Sequence, residues 1–222
     1  MTGRGECETS HSSILAVFCG ELRRTLWRSS SFAIPVIQPT LNTRRLVLRP
    51  FASADAADVK RLAGDRSVAD TTLNIPHPYL DGMAEEWIAT HAPGFDAGSL
   101  ANFAITTLTQ GELIGAIGLV IERRFDCAEL GYWIANANRN EGYCTEAAKA
   151  IVTYGFDALG LNKIYASHLT RNPASGRVMQ KLGMTREGLQ VQHVKKWDTY
   201  EDVVLYGLVR EVWNRGLGMA SG

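Results

Sequence analysis

Several features that would assign a class at once are scarce in this sequence. The 222 residues carry 23 Lys and Arg against 23 Asp and Glu, so the formal net charge is zero. Binding to nucleic acid or to an anionic membrane relies on a marked basic excess or patch, so neither partner is expected. The longest apolar run, Leu113 to Ile121, has nine residues, whereas a membrane-spanning helix needs roughly 20. This run predicts a buried strand.

Cysteine motifs and nucleotide-binding motifs are also missing. The four cysteines, Cys7, Cys19, Cys127 and Cys144, form no C-x-x-C pair and have no His pair at zinc spacing nearby. This use of cysteine is typical of a reduced, cytoplasmic protein without a metal site. Neither G-x-x-x-x-G-K-[ST] nor G-x-G-x-x-G is present, which disfavours an enzyme that binds nucleotide phosphates through these motifs.

Composition divides the chain into an extension, a domain and a tail. Residues 1–34 mix Ser, Arg and scattered apolar residues without a sustained period, so we predict a poorly ordered N-terminal extension. A mitochondrial-type presequence is the alternative for this segment, although its three Glu count against it. Residues 35–215 are long enough for one sizeable core and are predicted to form the functional domain, followed by a tail at 216–222.

The periodicity of apolar residues predicts a mixed α/β domain. We expect strands at 46–49, 102–107, 113–121, 127–134, 163–169, 189–195 and 203–209, and helices from about 53 and at 83–89, 145–159 and 175–181. Gln110-Gly111-Glu112 predicts a hairpin turn, so the second, third and fourth strands form an antiparallel meander. The helix that follows them makes a parallel crossover. The predicted sheet is therefore mixed, mostly antiparallel, of about six to seven strands flanked by helices.

The segment Arg139 to Thr145 joins a predicted strand to a predicted helix. The unpaired N–H groups at a helix N-terminus and the positive end of the helix dipole favour phosphate. Gly142 has no Cβ and lets the backbone approach an anion closely. A glycine at such a junction is also common for the turn alone, so this loop does not decide the function by itself.

Five segments, in order, resemble the RimJ/RimL branch of the GNAT superfamily of N-acetyltransferases. Arg139-x-x-Gly142-x-Cys144 resembles its Arg/Gln-x-x-Gly-x-Gly/Ala pyrophosphate loop, and Asn172 to Met184 resembles its Asn-x-x-Ser segment. Leu41 to Phe51 is similar to the first strand of that branch, Ile75 to Tyr79 to its substrate-side loop, and Asp202 to Tyr206 to its last strand. The resemblance spans about Thr40 to Trp213, which is the whole predicted domain.

The resemblance implies an enzyme that uses acetyl-CoA as co-substrate. In the implied GNAT-like sheet, the fourth and fifth strands splay apart and hold the pantetheine and the thioester between them. The loop after the fourth strand would bind the coenzyme A pyrophosphate, and backbone groups at the end of that strand would bind the pantetheine. The expected cofactor-binding residues are Trp133, Ile134, Ala135, Arg139, Asn140, Glu141, Gly142, Tyr143, Cys144, Thr145, Asn172 and Ser175.

Ser175 and Asn172 are the residues of this set with side-chain roles. The resemblance places Ser175 beside the thioester sulfur, where it would stabilise the departing thiolate, while the alternative is a helix N-cap. Asn172 is expected to contact coenzyme A, although Asn before Pro is also a turn initiator. Cys144 departs from the family pattern, because its side chain takes room in the loop and puts a thiol near the cofactor. The Glu141 side chain is expected to point away from the phosphates.

Glu129 is the candidate general base. It stands beside an apolar stretch, Leu130 to Ile134, in the strand where members of the wider superfamily often carry a catalytic Glu. A carboxyl group in a partly apolar cleft has a raised pKa, closer to the range that a base needs. The alternative is a salt-bridged or rim-exposed Glu. His77 and His168 are weaker candidates, because a lone His is more often packed or solvent-facing.

The expected function is direct acetyl transfer to a primary amine in a ternary complex, without a metal. A protein N-terminal α-amine is the favoured acceptor, and His77, Pro78 and Tyr79 are expected to border its entrance. The alternatives are a small-molecule amine acetyltransferase and a module that binds acyl-CoA without turnover. The sequence leaves the oligomeric state open, a homodimer included.

Overall fold

A computed structural model describes residues 37–219 of this chain. The extension predicted for residues 1–34 lies outside the described residues, as do the last three residues of the tail predicted at 216–222. Residues 216–219 of that tail form the end of the closing helix.

Strands and helices alternate along the described residues much as the sequence predicts. The strands are β1 (Leu41–Asn42), β2 (Leu46–Arg49), β3 (Leu100–Thr107), β4 (Leu113–Glu122), β5 (Cys127–Ile134), β6 (Lys163–Leu169), β7 (Thr185–Lys196) and β8 (Thr199–Val209). The helices are α1 (Ala56–Ala63), α2 (Arg66–Thr71), α3 (Met83–Ala89), α4 (His91–Asp96), α5 (Tyr143–Asp157), α6 (Pro173–Lys181) and α7 (Arg210–Met219). The sequence did not predict β1, α2, α4 or α7. Within residues 37–219, no helix has the length and apolar character needed to cross a bilayer.

One sheet with the strand order β1-β2-β3-β4-β5-β6-β8-β7 runs through the described residues. Neighbouring strands are antiparallel except for β5 and β6, which are parallel. This confirms the predicted mixed, mostly antiparallel sheet. Its eighth strand is β1, a two-residue strand that pairs with β2 and is too short for a periodic signal.

The two parallel strands separate along their length. Their pairing begins at Cys127 opposite Lys163 and ends at Glu129 opposite Tyr165, although β5 continues to Ile134 and β6 to Leu169. On its other edge, β5 pairs with β4 over its whole length. The edge of β5 that faces β6 is therefore without a strand partner from Leu130 onward, and the predicted splay is present.

Helices cover the sheet on both faces and define two apolar clusters. The larger cluster joins α5 and α6 to one face, which we call the α5 face, through residues such as Ile151, Phe156 and Met179. The smaller cluster joins α1, α2 and α3 to the opposite face, which we call the α1 face, through Val59 and Ile88. β4 lies in the middle of the sheet and is buried on both faces over most of its length. That burial explains why it reads as a continuous apolar run.

Candidate active site

A cavity of about 490 Å³ opens where β5 and β6 part. Its walls are the separated halves of the two strands, the loop before α5, residues of α5 and α6, and the segment Thr71–Ile75, which begins at the last residue of α2. The cavity therefore occupies the gap that the incomplete β5–β6 pairing leaves, and residues from five elements meet there.

Strand alternation assigns the side chains of β5 to the two faces of the sheet. Leu130, Tyr132 and Ile134 pack in the cluster on the α5 face, whereas Trp133 packs in the cluster on the α1 face. Because successive side chains point to opposite faces, Glu129 lies on the same face as Trp133. The candidate base and the first turn of α5 are thus on opposite faces of the sheet, with the cavity between them.

The loop that precedes α5 has the geometry of an anion site. Asn140 and Gly142 both have positive φ, 66° and 79°, and α5 begins directly after Gly142 without a side-chain cap at its N-terminus. The N–H groups of the first helical turn and the positive end of the helix dipole therefore face the cavity side of the loop. The residues of this loop that line the cavity are Arg139, Asn140, Gly142, Tyr143, Cys144 and Thr145.

Arg45, which the sequence did not identify, lies between β1 and β2 and binds this loop and the first turn of α5. Its Nε lies 2.7 Å from Glu146 Oε2, its backbone N–H donates to Glu146 Oε1 at 2.8 Å, and Nη1 donates to the carbonyl oxygen of Glu141 at 3.0 Å. The guanidinium carbon also lies 4.5 Å from the centre of the Tyr143 ring. Burial raises the pKa of Glu146, but hydrogen bonds from Thr43 and Arg45 outweigh it and lower that pKa. Arg45 therefore neutralises the one acidic side chain in the first turn of α5.

Glu141 and Ala135 do not line the cavity, although both were expected to bind the cofactor. Glu141 is exposed, and its carbonyl oxygen is used by Arg45. Ala135 is buried, and its N–H donates to the carbonyl oxygen of Ile114 at 2.8 Å. Ala135 thus continues the β4–β5 pairing and has no free N–H for a ligand, whereas Trp133 and Ile134 do line the cavity.

Tyr132 and Ser175 form a hydrogen-bonded pair on the α5 face. The Tyr132 hydroxyl lies 2.9 Å from Ser175 Oγ and 3.1 Å from the Ser175 carbonyl oxygen. Burial raises the pKa of the Tyr132 phenol, so this group stays protonated at neutral pH. Its hydroxyl can therefore keep the hydrogen bond that orients the Ser175 hydroxyl. Both residues line the cavity. Tyr132 was missed because only the folding of α6 onto β5 brings it to Ser175.

Asn172, rather than Ser175, caps α6. The Asn172 side-chain oxygen accepts from the Ser175 N–H at 3.4 Å, and its Nδ2 donates to the Thr71 carbonyl oxygen at 3.2 Å. The helix begins at Pro173, so the N-cap alternative for Ser175 is wrong. Asn172 lines the cavity, but both ends of its amide are engaged within the protein. These bonds fix the start of α6 against the segment after α2.

The remaining predicted side chains on the α5 face are His168 and Cys144. His168 Nδ1 lies 2.8 Å from the Leu169 carbonyl oxygen, and its ring packs against Gly176, next to Ser175. Cys144 is partly buried where it lines the cavity, and burial raises the pKa of its thiol to about 12. At neutral pH Cys144 is therefore a neutral thiol. It is a poor nucleophile and metal ligand, because cysteines act in both roles as thiolates.

Glu129 occupies the α1-face side of the cavity near the point where β5 and β6 separate. Burial raises the pKa of its carboxyl group, and a hydrogen bond to Ser167 on β6 partly opposes that rise. Among the described residues that line the cavity, Glu129 is the single carboxylate. The residue lines the cavity, and within residues 37–219 no Lys, Arg or His forms a salt bridge with it.

The three residues predicted to border the acceptor entrance do not line this cavity. His77, Pro78 and Tyr79 lie in a separate, shallow groove beside α1, where His77 Nδ1 is 3.2 Å from the Gly64 carbonyl oxygen. Thr71–Ile75 line the cavity instead. The chain leaves the cavity after Ile75, whose side chain packs in the cluster on the α1 face, and turns towards α1. The predicted loop is therefore in contact with the site only through its first residue.

In the part of the chain that the structure describes, no three His, Cys, Asp or Glu side chains converge on a point that could hold a metal ion.

Comparison with known proteins agrees with the geometry. The family model described as "Acetyltransferase (GNAT) domain" matches residues 45–185. The N-acetyltransferase YnaD of Bacillus subtilis is 32% identical over 176 residues, which cover 78% of this chain and 99% of YnaD. The ribosomal-protein-serine acetyltransferase of Escherichia coli is 30% identical over 101 residues, or 45% of this chain and 56% of that protein.

Solved structures match the fold over the same part of the chain. A GNAT-family acetyltransferase from Bacillus anthracis superposes with a TM-score of 0.70 at 25% identity, covering 78% of this chain and 99% of the other. The RimL ribosomal L7/L12 α-N-protein acetyltransferase in complex with coenzyme A gives a TM-score of 0.73 at 18% identity, with coverage of 78% and 99%. The splayed sheet and the cavity described above thus belong to a fold with known members.

Proposed function

The chain belongs to the GNAT family of acetyltransferases and is an acetyl-CoA-dependent N-acetyltransferase, and we propose that its acceptor is the α-amine of a protein N-terminus. In this proposal, the pyrophosphate of acetyl-CoA binds at the Gly142 loop on the α5 face. The acceptor enters from the α1 face, between Glu129 and the segment Thr71–Ile75. The two substrates then meet in the gap between β5 and β6.

The arrangement of side chains fits direct attack of the amine on the thioester. The amine nitrogen forms a bond to the carbonyl carbon, and its proton passes to Glu129, directly or through water. The Ile134 N–H points to the unpaired edge of β5, because the flanking Ala135 donates to β4 on the other edge, and it is placed to stabilise the carbonyl oxygen as it gains charge. When the carbon–sulfur bond breaks, its electron pair stays on sulfur, and the Ser175 hydroxyl donates a hydrogen bond to the thiolate. The products are the N-acetylated amine and coenzyme A.

The observation that carries the choice of acceptor is the charge of the cavity wall. Glu129, on the side where the acceptor enters, is the single carboxylate among the described lining residues, whereas the cations Arg139, Arg177 and Lys181 lie in the loop before α5 and on α6, on the coenzyme A side. A polyamine brings several positive charges and would find one counter-charge there. An acceptor with one amine and a neutral remainder fits this wall better, because each further ammonium group of a polyamine would lack a carboxylate partner there.

The basicity of an α-amine fits a site with one modest base. An α-amine has a pKa of about 7.7 to 8.0, against about 10.4 for a lysine side chain, so a useful neutral fraction exists near pH 7. The name of the Escherichia coli relative, a ribosomal-protein-serine acetyltransferase, supports a protein acceptor. Both considerations favour an α-amine over a lysine or a polyamine.

A panel of acceptors tests this proposal. We expect short peptides with a free α-amine to be acetylated, and the same peptides with a blocked α-amine to be inert even when they contain lysine. Release of free thiol from acetyl-CoA measures turnover, and spermidine and an amino sugar serve as comparison acceptors. Transfer confined to spermidine, or to lysine in blocked peptides, would overturn the proposed acceptor. Binding of acetyl-CoA without transfer to any amine would instead favour the non-catalytic module.

Replacing Glu129 with glutamine is expected to slow turnover mainly below the pKa of the acceptor amine. Below that pKa the bound amine carries an extra proton that a base must remove, whereas above it the neutral amine needs less help. In the wild type, activity should persist at lower pH until Glu129 itself is protonated. Profiles of kcat against pH measure the difference, with Glu112→Gln in the exposed turn after β3 as the control. A parallel shift of the whole profile, equal at all pH values, would argue against a base at this position.

A further inference from the structure

Lys196, at the end of β7, is a buried cation that contacts the wall of the acceptor cavity from behind. The residue is 6% exposed. Its Nζ donates to the carbonyl oxygen of Leu73 at 3.3 Å and to that of Ile75 at 3.1 Å. These two residues, with Asn74 between them, line the cavity on the side where the acceptor would enter. The bonds join segments that are 121 and 123 residues apart in the sequence.

The surroundings of Lys196 are dipoles rather than a paired carboxylate. Besides the two carbonyl oxygens, the ammonium lies 5.3 Å from the centre of the Trp197 ring. Burial lowers the pKa of Lys196, while Asp70 raises it and Arg171 lowers it further. A buried ammonium is costly unless its N–H groups are bonded, so the two carbonyl bonds are what make this position tolerable for a lysine.

The turn after β7 adds a second contact with the same segment. The Trp197 ring lies 5.4 Å from the Arg66 guanidinium carbon and 6.5 Å from the centre of the His77 ring. Arg66 begins α2, and His77 lies just beyond the segment that lines the cavity. Lys196 and Trp197 together therefore hold the chain from α2 to His77 at its middle and at both ends.

We infer that Lys196 is a positioning residue for the acceptor: it fixes the wall formed by Leu73, Asn74 and Ile75 and thereby sets the affinity and charge preference of the acceptor site. The inference rests on the proposed function, in which this wall contacts the acceptor. With Lys196 in place, the carbonyl oxygens of Leu73 and Ile75 are engaged and a positive charge lies behind them. The wall then offers fewer hydrogen-bond acceptors to a polycation, and selects against one.

Lys196→Met tests the inference, with Lys195→Met as the matched control. Lys195 is the adjacent lysine, and its side chain is half exposed and faces Asp198 at 3.7 Å. Losing both hydrogen bonds frees the wall segment, so the KM for an α-amine peptide is expected to rise about tenfold. The ratio of kcat/KM for spermidine to that for the peptide should rise with it. Lys195→Met should leave both of these values as they are in the wild type. Neither variant should alter the affinity for acetyl-CoA.

A second measurement does not depend on the identity of the acceptor. Backbone hydrogen exchange of residues 71–77 should be faster in Lys196→Met than in the wild type, because the segment loses its anchor. Lys195→Met should leave it unchanged. If the methionine variant does not bind acetyl-CoA, and so has lost its fold, Lys196→Gln, which retains a donor, supplies the comparison.

Failure of the proposed acceptor would be seen in the wild type, whereas failure of the role of Lys196 would be seen in the comparison of the two lysine variants. A wild type that acetylates only spermidine would show that the proposed acceptor is wrong. Exchange rates and KM values that are the same in Lys196→Met and Lys195→Met would show that Lys196 does not position the wall, whatever the acceptor is.

Discussion

Replacing Gly142 with valine is expected to weaken acetyl-CoA binding by at least about 100-fold and to leave the protein folded. Gly142 has φ of 79°, and an L-residue in this left-handed region costs roughly 1–2 kcal/mol, more when it is β-branched. Valine can relieve that strain only by changing φ, which turns the N–H groups of Tyr143 and Cys144 away from the cavity. An added Cβ would lie 3.5 Å from Arg45 Nη2, which is an ordinary van der Waals contact, so the backbone conformation and not a lack of space disfavours valine. The loop then loses several charge-assisted hydrogen bonds to the pyrophosphate.

Calorimetry and thermal unfolding measure this effect together. At a concentration 100 times its Kd, acetyl-CoA stabilises the folded wild type by about 2.7 kcal/mol, and this gain should vanish in Gly142→Val. Gly111→Val is the matched control, since Gly111 also has a positive φ, 68°, and nothing lies within 4 Å of an added Cβ. It lies in the turn between β3 and β4. Equal loss of binding in both variants would mean that general strain, not the loop, is responsible.

The elements that could be predicted from the sequence are those whose pattern is local. β5 and β6 have exactly the predicted bounds, and α5 begins two residues earlier than predicted, because alternation and helical spacing report burial within a short window. The loop at Gly142 was also predictable, since a glycine between a strand and a helix is a local signal. Its resemblance to a known motif then gave the signal a chemical meaning.

The side chains that organise the site depend on contacts between distant parts of the chain. Arg45 lies about 100 residues from Glu146, and Lys196 lies more than 120 residues from the carbonyl oxygens that it binds. Neither residue belongs to a motif that marks it as part of the site. The hydrogen bond from the Ser175 N–H to Asn172 is local, yet the sequence predicted the cap only as the alternative role of Ser175 and Asn172 only as a turn initiator. Only the packing of α6 shows that Asn172 takes the cap and leaves the Ser175 hydroxyl to Tyr132.

The short elements α2 and α4 were missed for a related reason. Each has six residues, which is less than two helical turns, and isolated helices of that length are not stable in water. Packing stabilises them instead: Val68 of α2 is buried in the cluster on the α1 face. Because the end of α2 also positions Thr71–Ile75, missing α2 left this side of the cavity without a prediction from the sequence.

Ser175→Ala is expected to lower kcat by about one to three orders of magnitude, the range for losing a proton donor or a charge-stabilising group. Affinity for acetyl-CoA should change little, because the hydroxyl interacts with sulfur mainly when negative charge develops there. The fold should tolerate the change. Asn172 provides the cap of α6, and alanine is favourable inside a helix.

Tyr132→Phe separates the two roles in this pair. It removes the hydroxyl that lies 2.9 Å from Ser175 Oγ but leaves the serine itself, so we expect a smaller loss of kcat with an unchanged KM for acetyl-CoA. If Tyr132 acts by orienting Ser175, the double variant should be no slower than Ser175→Ala, since an absent hydroxyl cannot be oriented. Additive losses would mean that Tyr132 contributes to the reaction independently. Wild-type activity in Ser175→Ala would show that the hydroxyl has no part in stabilising the thiolate, and the pair would then serve only to dock α6 on β5.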